Sequence, residues 1–143
     1  MAHIGEEKMM KKLAVFVFAV STLAFVPLLY AEPVPETLRQ TIRDYIANQE
    51  KLQGAFAIVD ERTNELRQLE LVRVHERVGK TGNYYYSCTD MSDVKTGDLL
   101  DLDFDIQEEG SHLSVAAIRI HKDNGNPRYT YDDNDNMIPV TNG

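Results

Sequence analysis

Tryptophan is absent from this 143-residue chain, and cysteine occurs once, at Cys88. A single cysteine excludes an internal disulfide, so the stability must come from a conventional apolar core. Basic residues are few, 15 against 23 acidic ones, and the net charge is −8 at pH 7. Such a chain repels nucleic acids and anionic membrane surfaces, so we expect neither as a partner. The sequence also lacks the Asn-x-Ser/Thr glycosylation signal, which fits a bacterial envelope protein.

The N-terminal residues 1–31 predict export. Three lysines precede an apolar run at 13–29, and Ala31 offers a small residue just before Glu32. This pattern is typical of a cleaved secretory signal peptide. An uncleaved membrane anchor is the alternative, although the run is slightly short for a membrane span. We therefore expect a periplasmic or secreted protein without a stable membrane anchor after processing.

The segment at 36–52 predicts the one clear helix of the mature chain. Pro35 suits a first helical turn, and Gly54 is placed to end the helix. Apolar residues recur on one side of this helix and form a single stripe. The stripe consists of Leu38, Ile42, Tyr45 and Ile46.

After the helix, apolar residues recur at every second position, which predicts β-strands. The predicted strands are 55–61, 66–76, 83–90, 98–107, 112–122 and a short edge strand at 128–131. These segments and the helix form a single domain over 32–131. The acidic tail at 132–143 is expected to be disordered.

One helix followed by antiparallel strands predicts an α+β fold. The N-terminal helix should pack on one face of a curled antiparallel sheet of four to six strands, giving a roll. This order of elements is similar to that of cystatin-like, helix-grip domains. Because the resemblance lies in element order alone, it implies nothing about function.

The stretch LLDLDFDI at 99–106 carries an aspartate at every second position. A hairpin turn centred between Glu109 and Gly110 would pair Phe104 with Val115 and point the three aspartates away from the helix. A symmetric connection at 91–97 would place Tyr84, Tyr86 and Cys88 on the same face as the aspartates.

A surface that combines phenols with carboxylates is typical of binding faces. The candidate partner-binding residues are Asp101, Asp103, Asp105, Tyr84 and Tyr86. The alternative is a half-exposed sheet that its aspartates keep soluble, and these would also discourage pairing at the sheet edge.

Other chemistries fit the aspartates less well. Alternate carboxylates on a strand stand about 6.6–6.8 Å apart, whereas a folded loop usually supplies the ligands of Ca²⁺. A calcium loop starting at Asp132 fails because Met137 stands where glycine is needed. Two such aspartates match the separation in an inverting glycosidase, about 6.5–9.5 Å, but no buried partner is evident that would raise one pKa. We therefore predict no metal, no cofactor and no catalytic residue.

The remaining reactive residues do not converge on a predicted site. Cys88 lies inside a strand and is expected to be packed and unreactive, with an intermolecular disulfide as the alternative. In a simple meander, His75 and His112 lie at one end of the sheet and His121 at the other.

These patterns predict an exported acidic binding or accessory protein of the bacterial envelope, rather than an enzyme. Its partner is expected to be an envelope or extracellular protein that contacts the open sheet face. The first alternative is a small-molecule carrier with its ligand between helix and sheet. The second is a hydrolase that uses paired aspartates.

Overall fold

The computed structural model describes residues 31–140. The predicted signal peptide at 1–31 lies outside the described residues except for Ala31, and so do the last three residues of the predicted tail. In the described part of the chain, no helix has the length and apolar character needed to cross a membrane.

Helix α1 spans Pro35–Gln53, close to the predicted limits. It begins with Pro35, whose missing N–H is not needed in the first turn. It ends at Gly54, which has a φ of +82° and donates its N–H to the carbonyl of Glu50. This left-handed conformation favours glycine. The side chains of the predicted stripe that α1 buries fully are Leu38, Ile42 and Ile46.

Six antiparallel strands form the main sheet in sequential order. They are β1 (Phe56–Asp60), β2 (Glu65–Thr81), β3 (Tyr84–Asp93), β4 (Leu99–Glu109), β5 (His112–Asp123) and β6 (Asn126–Pro127). A second, two-stranded sheet consists of β7 (Tyr129–Tyr131) and β8 (Met137–Pro139). The predicted α+β class and the packing of one helix on a curled sheet are confirmed.

The core lies between α1 and the sheet. Phe104 of β4 has no exposed surface, and its ring lies 6.1 Å from that of Phe56 and 6.3 Å from that of Tyr45. The sheet curls without closing, and Arg128, which follows β6, makes two 2.7 Å hydrogen bonds to Asp60 at the end of β1. The first and last parts of the sheet are therefore linked by an ion pair.

The register of the β4–β5 hairpin differs from the predicted one. Phe104 pairs with Ile118, and Val115 pairs with Ile106. The turn is centred one residue later than predicted, between Gly110 and Ser111, and the φ of +64° at Gly110 favours glycine. Irregularities in the pairing then shift the partners further along β5. The aspartates nevertheless alternate with the core residues of β4 and face away from α1, on what we call the outer face.

The C-terminal hairpin, formed by β7 and β8, is ordered and lies against the outer face, whereas the sequence predicts a disordered tail from Asp132 onward. Its connection is organised by Asp132, whose Oδ1 accepts backbone N–H groups of Asn134 and Asn136 at 2.8 and 2.9 Å. Asp135 accepts a 2.8 Å hydrogen bond from the Tyr86 hydroxyl on β3. Side-chain hydrogen bonds of this kind stabilise turns rich in Asp and Asn.

Candidate metal centre

Four side chains of different chemistry converge on the outer face. Cys88 pairs with Asp103 across β3 and β4, and Asp101 lies two residues before Asp103 on the same face. The irregular pairing of β4 with β5 brings His121 beside both aspartates. One donor atom of each of these four residues, which we call the inner cluster, lies within 4.8 Å of the donor atoms of the others.

Three distances in the inner cluster, all measured from His121, are close to the edges of a tetrahedron around a metal ion. His121 Nδ1 lies 3.7 Å from Cys88 Sγ, 3.7 Å from Asp101 Oδ2 and 3.8 Å from Asp103 Oδ1. Zinc–ligand bonds of about 2.0–2.3 Å place tetrahedral ligands about 3.3–3.6 Å apart. Cys88 Sγ lies only 2.7 Å from Asp103 Oδ1, so an ion would have to separate this pair slightly.

The two oxygens of Asp103 have different surroundings. Oδ1 faces Cys88 and His121, whereas Oδ2 accepts hydrogen bonds from the hydroxyls of Tyr129 at 2.7 Å and Tyr131 at 2.6 Å. Asp103 has no exposed surface. Carboxylates that bind a metal through one oxygen are commonly oriented by hydrogen bonds to the other.

The C-terminal hairpin also fixes the imidazole. The His121 ring stacks on Tyr129 at 4.8 Å with an interplanar angle of 21°. Tyr131 in turn stacks on Tyr86 at 4.5 Å, which holds β7 against β3. The hairpin therefore covers the inner cluster and orients two of its members.

The Cys88 thiol is not activated as a nucleophile. Burial raises the pKa of its thiol well above the ordinary value, and the neighbouring Asp103 carboxylate raises it further. The thiol is therefore protonated at neutral pH and donates to Asp103. The sequence predicts His121 at the opposite end of the sheet from the other histidines and gives Cys88 no histidine neighbour. In the structure His121 lies beside Cys88.

Asp101 is buried, with 6% of its surface exposed. Its Oδ2 lies 3.4 Å from the ammonium group of Lys122 and faces His121. Its Oδ1 is buried and has no hydrogen-bond partner among the described residues. Buried carboxylate oxygens in native proteins usually have a partner, so this atom calls for an explanation.

The five predicted partner-binding residues do not form an open surface. Asp101 and Asp103 are buried, and Asp105 forms an ion pair with Arg119. Tyr86 is buried under the C-terminal hairpin, whereas Tyr84 is 43% exposed. The predicted shared face is present, but β7 and β8 cover its centre.

The space between α1 and the sheet, where the alternative carrier hypothesis places a ligand, is filled by core side chains such as Ile42, Leu102 and Phe104, each without exposed surface. A groove of about 240 Å³ lies instead where β1 approaches β5, with Ile58, Ile118 and Met137 in its lining. The carrier hypothesis therefore has no support from the interior of the roll.

No protein-family model, no curated protein sequence and no solved structure matched this chain. The geometry of the described residues is therefore the basis for the functional interpretation.

Proposed function

We propose that this domain binds a divalent transition-metal ion of the zinc class at Cys88, Asp101, Asp103 and His121, in contrast to the sequence alone, which predicts no metal site. The observation that supports this most strongly is the convergence of a sulfur, an imidazole nitrogen and two carboxylates, whose donor atoms all lie within 4.8 Å of one another. A thiolate and an imidazole favour Zn²⁺ and its neighbours over Ca²⁺ and Mg²⁺, which prefer oxygen ligands. The ion displaces the Cys88 proton as it binds.

The electrostatics of Asp103 favour a cation. The groups within hydrogen-bonding distance of its carboxylate are two tyrosine hydroxyls and a thiol, which carry no charge when protonated. A buried carboxylate is stabilised best by an opposite charge. The Lys122 ammonium group approaches Asp101 and is 39% exposed. A divalent ion between the two aspartates would supply the missing positive charge.

Four protein ligands around one ion leave no open position for a substrate, which is typical of sites that hold a metal rather than use it in catalysis. We therefore infer a binding protein and not an enzyme. In combination with the sequence, this gives an exported accessory protein that takes up or retains a zinc-class ion. Export and a protein partner in the envelope remain predictions from the sequence.

The proposal is tested by thermal unfolding of untagged protein with and without Zn²⁺. At about one hundred times Kd, a ligand that binds only the folded state stabilises it by about 2.7 kcal/mol. For a domain of this size, we expect Tm to rise by about 10 °C. His121→Gln should remove most of this rise because it deletes one of the four ligands.

The matched control is His112→Gln. His112 lies on the same strand, β5, but is exposed at the turn, so its substitution should leave the zinc-dependent rise unchanged. Cys88→Ser should behave like His121→Gln. If zinc did not change Tm, or if the zinc-dependent rise in Tm were still present in both His121→Gln and Cys88→Ser, the proposed function would be wrong.

A further inference from the structure

A second group of donors adjoins the inner cluster on its more exposed side. His75 on β2, Asp90 on β3 and Asp101 on β4 each place a donor atom within 4.8 Å of the others. His75 Nε2 lies 2.9 Å from Asp90 Oδ1. We call these three residues the outer cluster, and it shares Asp101 with the inner one.

Two buried atoms of the outer cluster are poorly satisfied by the protein. Asp101 Oδ1 has no partner among the described residues, whereas His75 Nε2 lies 2.9 Å from Asp90 Oδ1 without favourable hydrogen-bond geometry. A buried polar atom without a partner is energetically unfavourable. Because both residues belong to one cluster of potential metal ligands, a bound cation could satisfy both atoms.

The irregular pairing of β2 with β3 explains why His75 can face Asp90. Regular pairing stops after Val74 and resumes at Val78, so His75 lies in a bulged stretch. A bulge redirects the side chains of the bulged strand. Asp90 uses its two oxygens differently, since Oδ2 accepts a 2.7 Å hydrogen bond from Arg73 and Oδ1 faces His75. Asp103 shows the same division of its oxygens in the inner cluster.

We propose that the outer cluster binds a second divalent ion and that the Asp101 carboxylate bridges the two ions. This inference extends the proposed function of the inner cluster. Asp101 Oδ2 faces His121, whereas Oδ1 has no hydrogen-bond partner in the described part of the chain, so each oxygen could bind a different ion. Lys122 is the competing cation at Oδ2, and its long side chain can withdraw into solvent when an ion binds.

The two ions would have different environments. The inner cluster supplies four ligands and lies under the C-terminal hairpin, whereas the outer cluster supplies three ligands. The His75 side chain is 29% exposed. A site with three protein ligands keeps a position for water or for an incoming group. The outer ion is therefore the one that exchanges with solvent.

The test replaces zinc with Co²⁺, which has visible spectra, and counts bound ions by native mass spectrometry of the untagged chain. The inner ion should show a thiolate-to-cobalt charge-transfer band because Cys88 is its ligand, whereas the outer ion should not. We expect two cobalt ions in the parent protein. His75→Gln and Asp90→Asn should each bind one and retain the band, and the control His112→Gln should bind two.

The outcomes separate the outer site from the proposed function. The parent protein could bind a single cobalt ion that shows the charge-transfer band and that both outer-cluster variants still bind. This result would rule out the outer site but would not contradict the proposed function. One ion without the band that is lost in His75→Gln would overturn the proposed function and the bridge. No bound cobalt would overturn both. Because His75 and Asp90 lie near the surface, unchanged melting of the metal-free variants checks that they fold.

Discussion

Asp60 and Asp103 are both completely buried, yet they are stabilised in opposite ways. Asp60 receives two hydrogen bonds from the guanidinium of Arg128 at 2.7 Å, and Arg67 lies 3.7 Å away. Asp103 receives its hydrogen bonds from two tyrosine hydroxyls and a thiol. Asp60 is thus paired with guanidinium groups, whereas Asp103 is hydrogen-bonded by hydroxyl and thiol groups and has His121 Nδ1 3.8 Å away.

The difference indicates different roles. Arg67 extends the Asp60 network by pairing with Asp93 and Asp98, so cations and carboxylates alternate there. Such a network stabilises the fold, and because its carboxylates already have guanidinium partners, it does not require a bound cation. The surroundings of Asp103 orient a carboxylate without neutralising it, which is the arrangement expected for a ligand of a cation. Burial alone therefore does not distinguish a structural aspartate from a ligand, whereas the charge of its partners does.

The largest expected effect comes from Asp60→Asn. This change removes the charge that opposes Arg128 and Arg67, whose side chains are 12% and 9% exposed. Breaking a buried ion pair on one side destabilises a protein by about 3–5 kcal/mol. Urea unfolding should show a loss of this size. The control Asp123→Asn removes a 33%-exposed carboxylate 3.5 Å from Arg128 and should lower stability by less than about 1 kcal/mol. Equal losses would contradict the comparison.

Asp103→Asn should be less damaging to the metal-free protein. The amide keeps the shape and one acceptor oxygen, so the loss should be about 1.5–3 kcal/mol, the range for hydrogen bonds to a charged group. The same urea unfolding experiment measures it. A loss as large as that of Asp60→Asn would show that Asp103 is also a structural charge. If the unfolding free energy changed by less than about 0.5 kcal/mol, Asp103 would behave as an exposed carboxylate, as the sequence predicts.

Acid should weaken the Asp60 network in a defined window. Hydrogen bonds from Arg128 lower the pKa of Asp60 from 3.8 to about 2, against the opposing effect of burial. Because the folded-state pKa is depressed, this stabilisation is complete above pH 3.8 and is lost as the pH falls through about 2. The shift corresponds to about 2 kcal/mol. Unfolding free energies measured from pH 5 to pH 2 should fall less steeply in Asp60→Asn than in the parent; identical slopes would rule out this contribution.

The smallest expected effect concerns Arg119, the guanidinium on the outer face. It makes a two-pronged contact with Asp105, including a 2.8 Å hydrogen bond from Nη2, and is 31% exposed. Arg119→Lys keeps the positive charge but cannot make the two-pronged contact with Asp105. This loss should lower stability by about 1 kcal/mol or less. The Arg119 guanidinium lies 5.9 Å from the Tyr129 ring, and lysine keeps a cation there, so zinc binding should change little. A lost zinc response would show that Arg119 helps to hold the inner cluster.

The fold was predictable because it depends on repeating apolar patterns. The stripe on α1 and the alternation in β4 each involve several residues, so single irregularities do not hide them. The hairpin register was not predictable to the same degree, since the bulges near Asp101 and Asp105 leave no mark in the sequence.

The candidate site depended on those irregularities. Cys88 and His121 are 33 residues apart and meet only because the bulges bring β5 into place. The aspartates were identified, but their burial depends on the C-terminal hairpin. In the sequence, the alternation of Tyr129 and Tyr131 is the one pattern that indicates a further strand near the C-terminus, which could cover the outer face of the sheet. Which face β7 would cover depends on tertiary packing that alternation does not specify.

The link between Asp60 and Arg128 joins residues 68 positions apart in the chain. Contacts of such long range require most of the intervening chain to be ordered first, because closing a large loop early is entropically unfavourable. This ion pair should therefore form after the main folding barrier has been crossed. An interaction that is absent from the transition state acts on the unfolding rate and hardly on the folding rate. We therefore expect the ion pair between Asp60 and Arg128 to slow unfolding much more than it speeds folding.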